Sequence, residues 1–389
     1  MKLILLDTRG VPLGALPPFD VEVPWWPEVE EVVSGARRHY GVDVQVLRLL
    51  AADGAPLSEE GSRVTYLAQL AGSPPIAVDP ADADLTPQPH RAPYAEPGGP
   101  DASVRWAVNA LAALGTGNAV ATQRKTWNLS AIWRLDVAGA PVAWLKQVPS
   151  FFAHEPAVLG LVAGVSPGLV PPLLAAGEKG RMLLAHVPGE DGFGAGLDVR
   201  ARIAAEWHPV QEHFAGRVDD LLSTGMPDAR LALATFERVA VPYYDTIDGL
   251  RELMTALPER LDRIAACRMP DTIVHGDLHP GNTRVGAGDP VIMDWGDATA
   301  GHPGDDILRL VEGLEKEDAE MLISAWAVRW QASFPESDPQ RAAELMRPIF
   351  HLRRAVIYAD FVANIEPSEH IYHAGDVPDR LTQAVSAVR

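Results

Sequence analysis

The sequence has few cysteines and no long apolar run. Cys267 is the single cysteine among 389 residues, which excludes a disulfide within the chain and a metal site made of cysteines alone. A lone thiol is typical of a reducing cytoplasm. No stretch of 18 apolar residues is present, and the start, MKLILLD, meets a charge too early for a signal peptide. We therefore expect a cytoplasmic protein without a membrane segment.

Positive charge is also scarce. Lysine and arginine total 33 against 52 aspartates and glutamates, giving a formal net charge of −19. This balance argues against a nucleic-acid partner, because phosphate backbones bind basic surfaces. The acidity could favour a cationic substrate or could simply be a solvated surface. Only 5 lysines accompany 28 arginines, a bias typical of a GC-rich bacterial genome, so a lysine on an apolar strand is informative.

Length and composition indicate a soluble globular protein with two or three domains. Residues 71–103 contain eight prolines and no apolar periodicity, so they are predicted to be an extended linker without a helix. Residues 1–70 are predicted to form a small α+β accessory or cap domain. Its predicted elements are a helix at Pro27–Tyr40 and strands at Leu3–Leu6, Val42–Val46 and Val64–Leu70.

Residues 104–187 predict a mixed region and residues 188–389 a mostly helical one. The first should contain a helix at Val104–Leu114, hairpin strands at Asn128–Val137 and Pro141–Val148, a helix over FFAHEPAVLGLVAGV, and a short strand in RMLLAHVPG that stops at Pro188-Gly189. The main interruption of the helical region is residues 275–298, HGDLHPGNTRVGAGDPVIMDWGDA.

That stretch predicts a polar loop followed by a β-hairpin that ends at Asp294. The hairpin should bring Asp277, Asn282 and Asp294 to one edge of a small sheet. Phosphoryl transfer from ATP requires one carboxylate to accept the hydroxyl proton, and an amide and a second carboxylate to hold Mg²⁺. The spacing of these three residues is suited to that chemistry.

Two other interpretations of the same residues are possible. Asp277 alone could be a turn aspartate that binds its own backbone, although this leaves Asn282 and Asp294 unexplained. His275 and His279 could hold zinc, but no third histidine or cysteine stands at zinc spacing.

The segments HGDLHPGN, VIMDWGDA and HPGDDI resemble motifs of the aminoglycoside phosphotransferase family, small-molecule kinases related to protein kinases. The resemblance implies a bilobal α+β kinase-like fold, with residues 104–187 and 188–389 as its two lobes. It also implies ATP and Mg²⁺, with Asp277 as catalytic base and Asn282 and Asp294 as metal ligands. Asp297, Asp305 and Asp306 would support the catalytic loop through hydrogen bonds or cap the helix predicted near Ile307.

The same resemblance implies nucleotide contacts upstream. Lys146, on an apolar strand, would bind the ATP phosphates, and Glu155 would pair with it; alternatively, Lys146 snorkels at a strand edge and Glu155 only favours a helix N-terminus. The backbone around Asn128 and Ser130 would contact phosphate, and the backbone from Ala185 to Val187 would contact adenine.

The acceptor is expected to be a small molecule with a hydroxyl group, such as an aminoglycoside, a sugar or an amino alcohol. Candidate acceptor-binding residues are Glu190, Asp191, Asp360 and Asn364, and also Glu366 and Glu369 in the stretch YADFVANIEPSEH. A nucleotide-binding regulatory protein of kinase shape is the alternative function. The N-terminal domain could instead recognise a partner or cover the acceptor.

Overall fold

The computed structural model describes residues 1–22, 25–53, 63–70, 74, 76–286 and 288–388. The chain divides into two compact units. The first unit comprises Met1–Ala153, Leu173–His186 and Val362–Ala374, and the second comprises His154–Pro172, Val187–Phe361 and Gly375–Arg389.

The elements are numbered here in chain order. The strands are β1 (Lys2–Asp7), β2 (Pro12–Ala15), β3 (Val44–Asp53), β4 (Arg63–Leu70), β5 (Val120–Trp127), β6 (Ser130–Val137), β7 (Ala140–Gln147), β8 (Leu173–Gly177), β9 (Arg181–Ala185), β10 (Glu190–Asp191), β11 (Thr272–Val274), β12 (Thr283–Val285), β13 (Val291–Ile292) and β14 (Thr299–Gly301). The α-helices are α1 (Glu30–Tyr40), α2 (Gly99–Ala113), α3 (Glu155–Val165), α4 (Leu197–Phe214), α5 (Val218–Leu222), α6 (Leu233–Ala240), α7 (Leu250–Ala266), α8 (Gly304–Val311), α9 (Lys316–Ser333), α10 (Pro339–Asn364), α11 (His370–His373) and α12 (Asp376–Ser386).

The N-terminal residues form a sheet with strand order β2-β1-β4-β3, in which β1 and β4 are parallel. Leu3 and Leu5 alternate along β1 and are buried in one core with Val32 and Ala36 of α1, the period expected of a strand and of a helix face. The helix and strands predicted for residues 1–70 are present, but β3 continues seven residues beyond the predicted end at Val46, to Asp53. Strand β2 was not predicted, because PLGA is short and rich in turn residues.

A second sheet of the first unit has the antiparallel order β5-β6-β7-β9-β8. The predicted hairpin is confirmed: β6 and β7 pair up to Val137 and Ala140. The two residues between them, Ala138 and Gly139, have φ of 51° and 83°, as a type I′ turn requires. Strand β5 is an addition to the prediction, since VATQRKTW lacks a regular apolar alternation.

The two sheets are joined along β5. The Gln123 side chain accepts from Val46 N–H and donates to Val46 O, each over 2.8 Å. Residues 27–29 pair with β5 through hydrogen bonds from Val29 N–H to Arg124 O and from Thr126 N–H to Pro27 O. Because these bonds use backbone groups of β5, the N-terminal segment covers an edge that would otherwise be open.

The predicted linker is wrong at its C-terminal end, because α2 begins at Gly99 rather than near Val104. Pro100 lies in the first turn, where the missing N–H of proline loses no helical hydrogen bond. Gly98 precedes the helix with a φ of 78°. Residues 71–73 and 75 of the predicted linker lie outside the described residues, and no α-helix occurs in the described residues between 76 and 98.

The second unit is mostly helical, as predicted. Helix α4 packs against β11 and α9. The paired strands β11 and β14 flank the segment from residue 275 to 298, which itself contributes β12 and β13 to the sheet β10-β12-β13. The indoles of Trp207, Trp295 and Trp330 are fully buried in this unit. Within the described ranges, no helix combines the length and apolarity needed to span a membrane.

Replacing Gln123 with alanine is expected to destabilise the protein by about 2–4 kcal/mol, because the buried Val46 N–H and C=O both lose their partner. Urea unfolding followed by circular dichroism measures this loss. The exposed Gln331 of α9 supplies the control, and its alanine variant should stay within about 0.5 kcal/mol of the wild type. An equally small effect at Gln123 would contradict its role in joining the sheets.

Candidate active site

The loop that follows β11 is fixed by a buried histidine. His275 donates from Nε2 to Met293 O over 2.9 Å and accepts at Nδ1 from Asp277 N–H over 3.2 Å. Burial lowers the pKa of His275, consistent with the neutral ring that these two bonds require. Since both ring nitrogens are engaged, His275 cannot serve as a zinc ligand in this conformation.

Gly276 is required at its position in this loop. Its φ is 82°, which is strained for residues with a side chain. A Cβ at this position would also lie 2.2 Å from Asp297 O. The loop can therefore approach the backbone after β13 only because residue 276 has no side chain.

A second buried group, the Asp306 carboxylate, supports the same loop. It accepts from His275 N–H over 2.9 Å and from Gly276 N–H over 3.1 Å. Trp207 Nε1 and Gln211 Nε2 of α4 donate to it over 2.8 and 3.1 Å. The expected hydrogen-bonding support is therefore confirmed for Asp306.

The alternative that these aspartates cap a helix near Ile307 is wrong. Helix α8 begins at Gly304, and Pro303 before it provides no side-chain cap. Asp305 lies within the first turn and forms a buried ion pair with Arg353. Asp305 and Asp306 are therefore residues of the helix itself and do not cap it. Asp306 binds the loop and Asp305 binds a neighbouring helix.

Asp277 lies in the centre of a charged cluster. Its Oδ1 accepts from Arg309 Nε over 2.8 Å and lies 3.0 Å from Arg354 Nη1. Its Oδ2 accepts from Asn282 Nδ2 over 3.2 Å and lies 3.5 Å from His279 Nε2. One carboxylate oxygen is thus held by two guanidinium groups, while the other has weaker contacts.

The charges around Asp277 change its acidity. Burial by itself would raise the pKa of the carboxyl group. The Arg354 guanidinium, followed by His279 and Arg309, more than reverses this effect and holds the pKa well below its usual range. Asp277 is therefore ionised at neutral pH, as a group that accepts a hydrogen bond from an alcohol must be.

Asn282 is oriented by Asp277. Its Nδ2 donates to Asp277 O over 3.0 Å as well as to the carboxylate, so Oδ1 is the side-chain atom left to bind a cation. Its backbone carbonyl accepts from Met293 N–H over 2.8 Å. This bond holds Asn282, at the start of the hairpin, beside the residue that precedes Asp294. An amide oxygen and a carboxylate are hard ligands suited to Mg²⁺.

Asp294 has an unusual backbone conformation. It ends the β12–β13 hairpin with φ and ψ of 61° and 67°, a left-handed conformation that costs about 1 kcal/mol for most residues but less for aspartate. The next residue, Trp295, donates its N–H to Glu155 Oε1 over 3.1 Å. The buried start of α3 therefore helps to hold the turn that displays Asp294.

The residues predicted to bind nucleotide lie in several elements. Lys146 lies on β7, where its register partners are Ile132 of β6 and Met182 of β9. The residue is only 7% exposed, so it is a buried lysine on an apolar strand. Glu155 is the first residue of α3 and is also buried. Lys146 belongs to the first unit and Glu155 to the second, and their ion pair stays a prediction.

The predicted phosphate loop is the turn between β5 and β6. Asn128 N–H donates to the Glu369 carboxylate, and the Ser130 hydroxyl accepts from Trp127 Nε1 over 2.9 Å. Ala185 ends β9, and His186 N–H donates to Val142 O, while Val187 follows in the second unit. The expected nucleotide contacts of this turn and of Ala185 and Val187 stay predictions.

The predicted acceptor-binding residues belong to several parts of the chain: Glu366 and Glu369 are buried in the first unit, and the other four are exposed. Glu190 and Asp191 are exposed on β10, which pairs with β12 immediately after Asn282. Asp360 forms an ion pair with Arg238 over 2.9 Å, with both side chains half exposed. Asn364 is exposed and belongs to the first unit. Of the four, the two β10 residues are connected by a strand pair to the loop that carries Asp277.

Arg309 and Arg354 are the main residues that the sequence did not single out. Arg309 lies one turn after Asp306 on α8, and Arg354 lies in the middle of α10. Neither stands in a recognisable motif, and 28 arginines give no reason to choose two of them. A weak signal is the position of Arg309 three residues after Asp306, on the same face of the helix.

Comparison with known proteins identifies the relatives of this arrangement. The sequence model of the phosphotransferase enzyme family, APH, matches residues 146–345, about half of the chain. This range includes Lys146 and all three residues of the predicted catalytic pattern. No curated protein sequence matches the chain significantly.

Solved structures with the same fold include the apoenzyme of macrolide 2′-phosphotransferase MphH from Brachybacterium faecium, with 16% identity and a TM-score of 0.50 over 71% of this chain and 98% of that one. A choline/ethanolamine kinase family protein from Mesorhizobium loti has 15% identity and a TM-score of 0.50 over 74% and 99%. The GDP complex of aminoglycoside 2′-phosphotransferase-IIIa has 14% identity and a TM-score of 0.51 over 74% and 99%. At these identities the likeness concerns the fold, and it confirms the predicted α+β kinase-like architecture.

The backbone strain at Asp294 can be measured with two variants that both remove the carboxylate. Asp294→Gly is expected to be more stable than Asp294→Ala by about 1 kcal/mol, because only glycine adopts this φ without a steric cost. Urea unfolding of the two proteins gives the difference directly. Equal stability would mean that residue 294 is not held in the left-handed region in solution.

The contact between Arg354 and Asp277 can be measured by a double-mutant cycle on stability. Arg354→Met and Asp277→Asn should couple by about 1–3 kcal/mol, because each leaves the other charge partly unpaired. Arg353, the adjacent arginine of α10, pairs with Asp305 instead. Arg353→Met should therefore add to Asp277→Asn within about 0.5 kcal/mol. Similar coupling at both arginines would contradict a specific contact between Arg354 and Asp277.

Proposed function

The chain belongs to the phosphotransferase enzyme family and is a small-molecule kinase, and we propose that it transfers the γ-phosphoryl group of Mg-ATP to an acceptor hydroxyl. The observation that carries this proposal is the joint orientation of Asp277 and Asn282. One side chain is fixed as an ionised acceptor, and the other uses its amide nitrogen on Asp277, which leaves its amide oxygen to bind a cation.

Asp277 orients the acceptor in the proposed reaction. Its Oδ1 is occupied by Arg309 and Arg354, so Oδ2 is the oxygen that receives the hydroxyl proton. The low pKa of Asp277 makes it a weak base. This suits a loose transition state, in which the acceptor oxygen forms little bond to phosphorus and needs orientation more than early deprotonation.

Asn282 and Asp294 bind the metal in this proposal. Together they supply two oxygen ligands, the number that proteins commonly give to Mg²⁺ when nucleotide phosphates and water complete its coordination. Bound Mg²⁺ would offset the charge that develops on the transferred phosphoryl group. Lys146, paired with Glu155, would bind the phosphates, while backbone groups near Asn128, Ser130, Ala185 and Val187 would bind the rest of the nucleotide.

The acceptor is proposed to be a hydroxyl-bearing natural product, sugar or amino alcohol. The solved proteins of the same fold are named for macrolides, aminoglycosides and choline or ethanolamine, and all of these compounds carry a hydroxyl group. Glu190 and Asp191 are the favoured contacts for an amino group, because they are exposed and lie on the strand next to β12. Asp360 and Asn364 are weaker candidates, since Asp360 already pairs with Arg238.

The buried free thiol of Cys267 supports a cytoplasmic location for this reaction. The acidic charge of the chain favours small-molecule acceptors over nucleic acids. The proposed lobes are residues 104–187 and 188–389, with residues 1–70 as an accessory domain.

The proposal is tested by ADP release from Mg-ATP with a panel of aminoglycosides, macrolides, neutral sugars and amino alcohols. Asp277→Asn should lower kcat on any active acceptor by about 100- to 10,000-fold, because the acceptor hydroxyl loses its proton acceptor. Mg-ATP affinity, measured by calorimetry, should change little, since Asp277 is not a proposed metal ligand. Full turnover in the variant would exclude Asp277 as the base, and absence of nucleotide binding by the wild type would exclude the kinase reaction.

A further inference from the structure

The turn between β5 and β6 is already bound to an anion from its own chain. Both oxygens of the Glu369 carboxylate lie 3.1 Å from Asn128 N. Glu369 is 1% exposed and belongs to the short 3₁₀ helix Pro367–Glu369. A carboxylate on a backbone amide makes the same kind of charge-assisted hydrogen bond as a nucleotide phosphate on that amide.

The segment that carries Glu369 is fitted to this turn by further polar contacts. Glu366 N–H donates to Asn128 Oδ1 over 3.0 Å. The Glu366 carboxylate accepts from Arg91 Nε and Nη2 over 3.1 and 2.9 Å, and both side chains of this ion pair are buried. Tyr94, close to Arg91 in the chain, donates its hydroxyl to Trp127 O over 2.8 Å. Residues 366–369 and residues 91–94 thus bind adjacent positions of one turn.

Aromatic contacts connect the same segment to the N-terminal residues. The rings of Trp26 and Tyr372 are stacked with centroids 3.8 Å apart and planes 3° apart. Trp127 lies beside Trp26 and also stacks on His373. The segment 366–373 therefore contacts the β5–β6 turn on one side and the chain before α1 on the other.

Ionisation of the Glu369 carboxyl group carries an electrostatic cost. Burial raises the pKa of Glu369 to about 7, although the hydrogen bond from Asn128 opposes the rise. The backbone amide and the side chain of Asn128 both bond to this carboxylate and His373 attracts it, but together they compensate only part of the lost hydration. An incoming phosphate would offer the amide an equivalent bond and would also repel the carboxylate.

On this basis we infer that Glu369 occupies the phosphate position on the Asn128 amide and that segment 366–373 competes with the nucleotide for this turn. The inference rests on the proposed kinase function, because it assumes that the β5–β6 turn contacts the nucleotide phosphates. Nucleotide affinity would then depend on how firmly Arg91, Tyr94 and Trp26 hold the segment in place. This would connect the N-terminal residues to the reaction without their contacting the acceptor.

Calorimetric titration of the full-length chain with Mg-ATP, Mg-ADP and adenosine tests the inference without an acceptor. Glu369→Gln should tighten ATP and ADP by about tenfold, the size expected for one charge-assisted hydrogen bond. Adenosine affinity should be unchanged, because adenosine has no phosphate. Glu96→Gln is the matched control, since it neutralises a half-exposed carboxylate of the same unit that lies 3.7 Å from Arg91.

The outcomes separate this inference from the proposed function. If the wild type binds no nucleotide, the kinase proposal fails and the inference with it. If the wild type binds ATP but Glu369→Gln binds it equally or more weakly at unchanged thermal stability, only the inference is overturned. An equal gain for adenosine or in Glu96→Gln would also overturn it, because the effect would not depend on phosphate at this amide.

Hydrogen exchange of the wild type gives a second test that needs no stable variant. Mg-ATP should increase amide exchange in residues 366–373, because phosphate displaces the Glu369 carboxylate, whereas adenosine should leave it unchanged. Unchanged or slower exchange in this segment with saturating Mg-ATP would overturn the inference.

Discussion

The hydrogen bonds of the buried Asp306 carboxylate are the interaction on which the loop that carries Asp277 depends. It accepts hydrogen bonds from two successive backbone amides of the loop and from two side chains of α4. A buried charge is tolerated only where donors replace its hydration, so the loop, α4 and α8 must keep their relative positions for Asp306 to stay satisfied. The loop conformation is therefore fixed by the packing of helices rather than by its own short sequence.

Helix α8 also contributes to the ionisation and orientation of Asp277, the proposed base. Arg309 extends from α8 one turn after Asp306 and, with Arg354 of α10, holds one oxygen of Asp277. These two arginines keep the carboxylate ionised and fix its rotation, while Asn282 approaches the other oxygen. A catalytic group oriented in this way loses little freedom on reaching the transition state, which is the usual advantage of a preorganised site.

The first unit shows how an added N-terminal sheet can become part of a kinase-like region. The Gln123 side chain of β5 bonds to the backbone of Val46 on β3, and residues 27–29 bond to backbone groups of β5. Trp26 stacks on Tyr372 near the chain's end. These contacts surround the β5–β6 turn. The sequence of the predicted linker did not indicate such contacts, because its prolines restrict only the local backbone conformation. Arg91 and Tyr94 of this segment bind residues far away in sequence.

The sequence by itself determined the reaction type, since Asp277, Asn282 and Asp294 lie within one loop and one hairpin, so their pattern is local in the sequence. It also identified the β6–β7 hairpin and the helical character of the second unit, because turn residues and apolar periods are local signals. Only the tertiary structure decided that Arg309 and Arg354 hold Asp277 and that Glu369 binds Asn128, 241 residues earlier in the chain. Such contacts depend on which helices pack together, and packing brings distant residues into contact without leaving a pattern in the sequence around them.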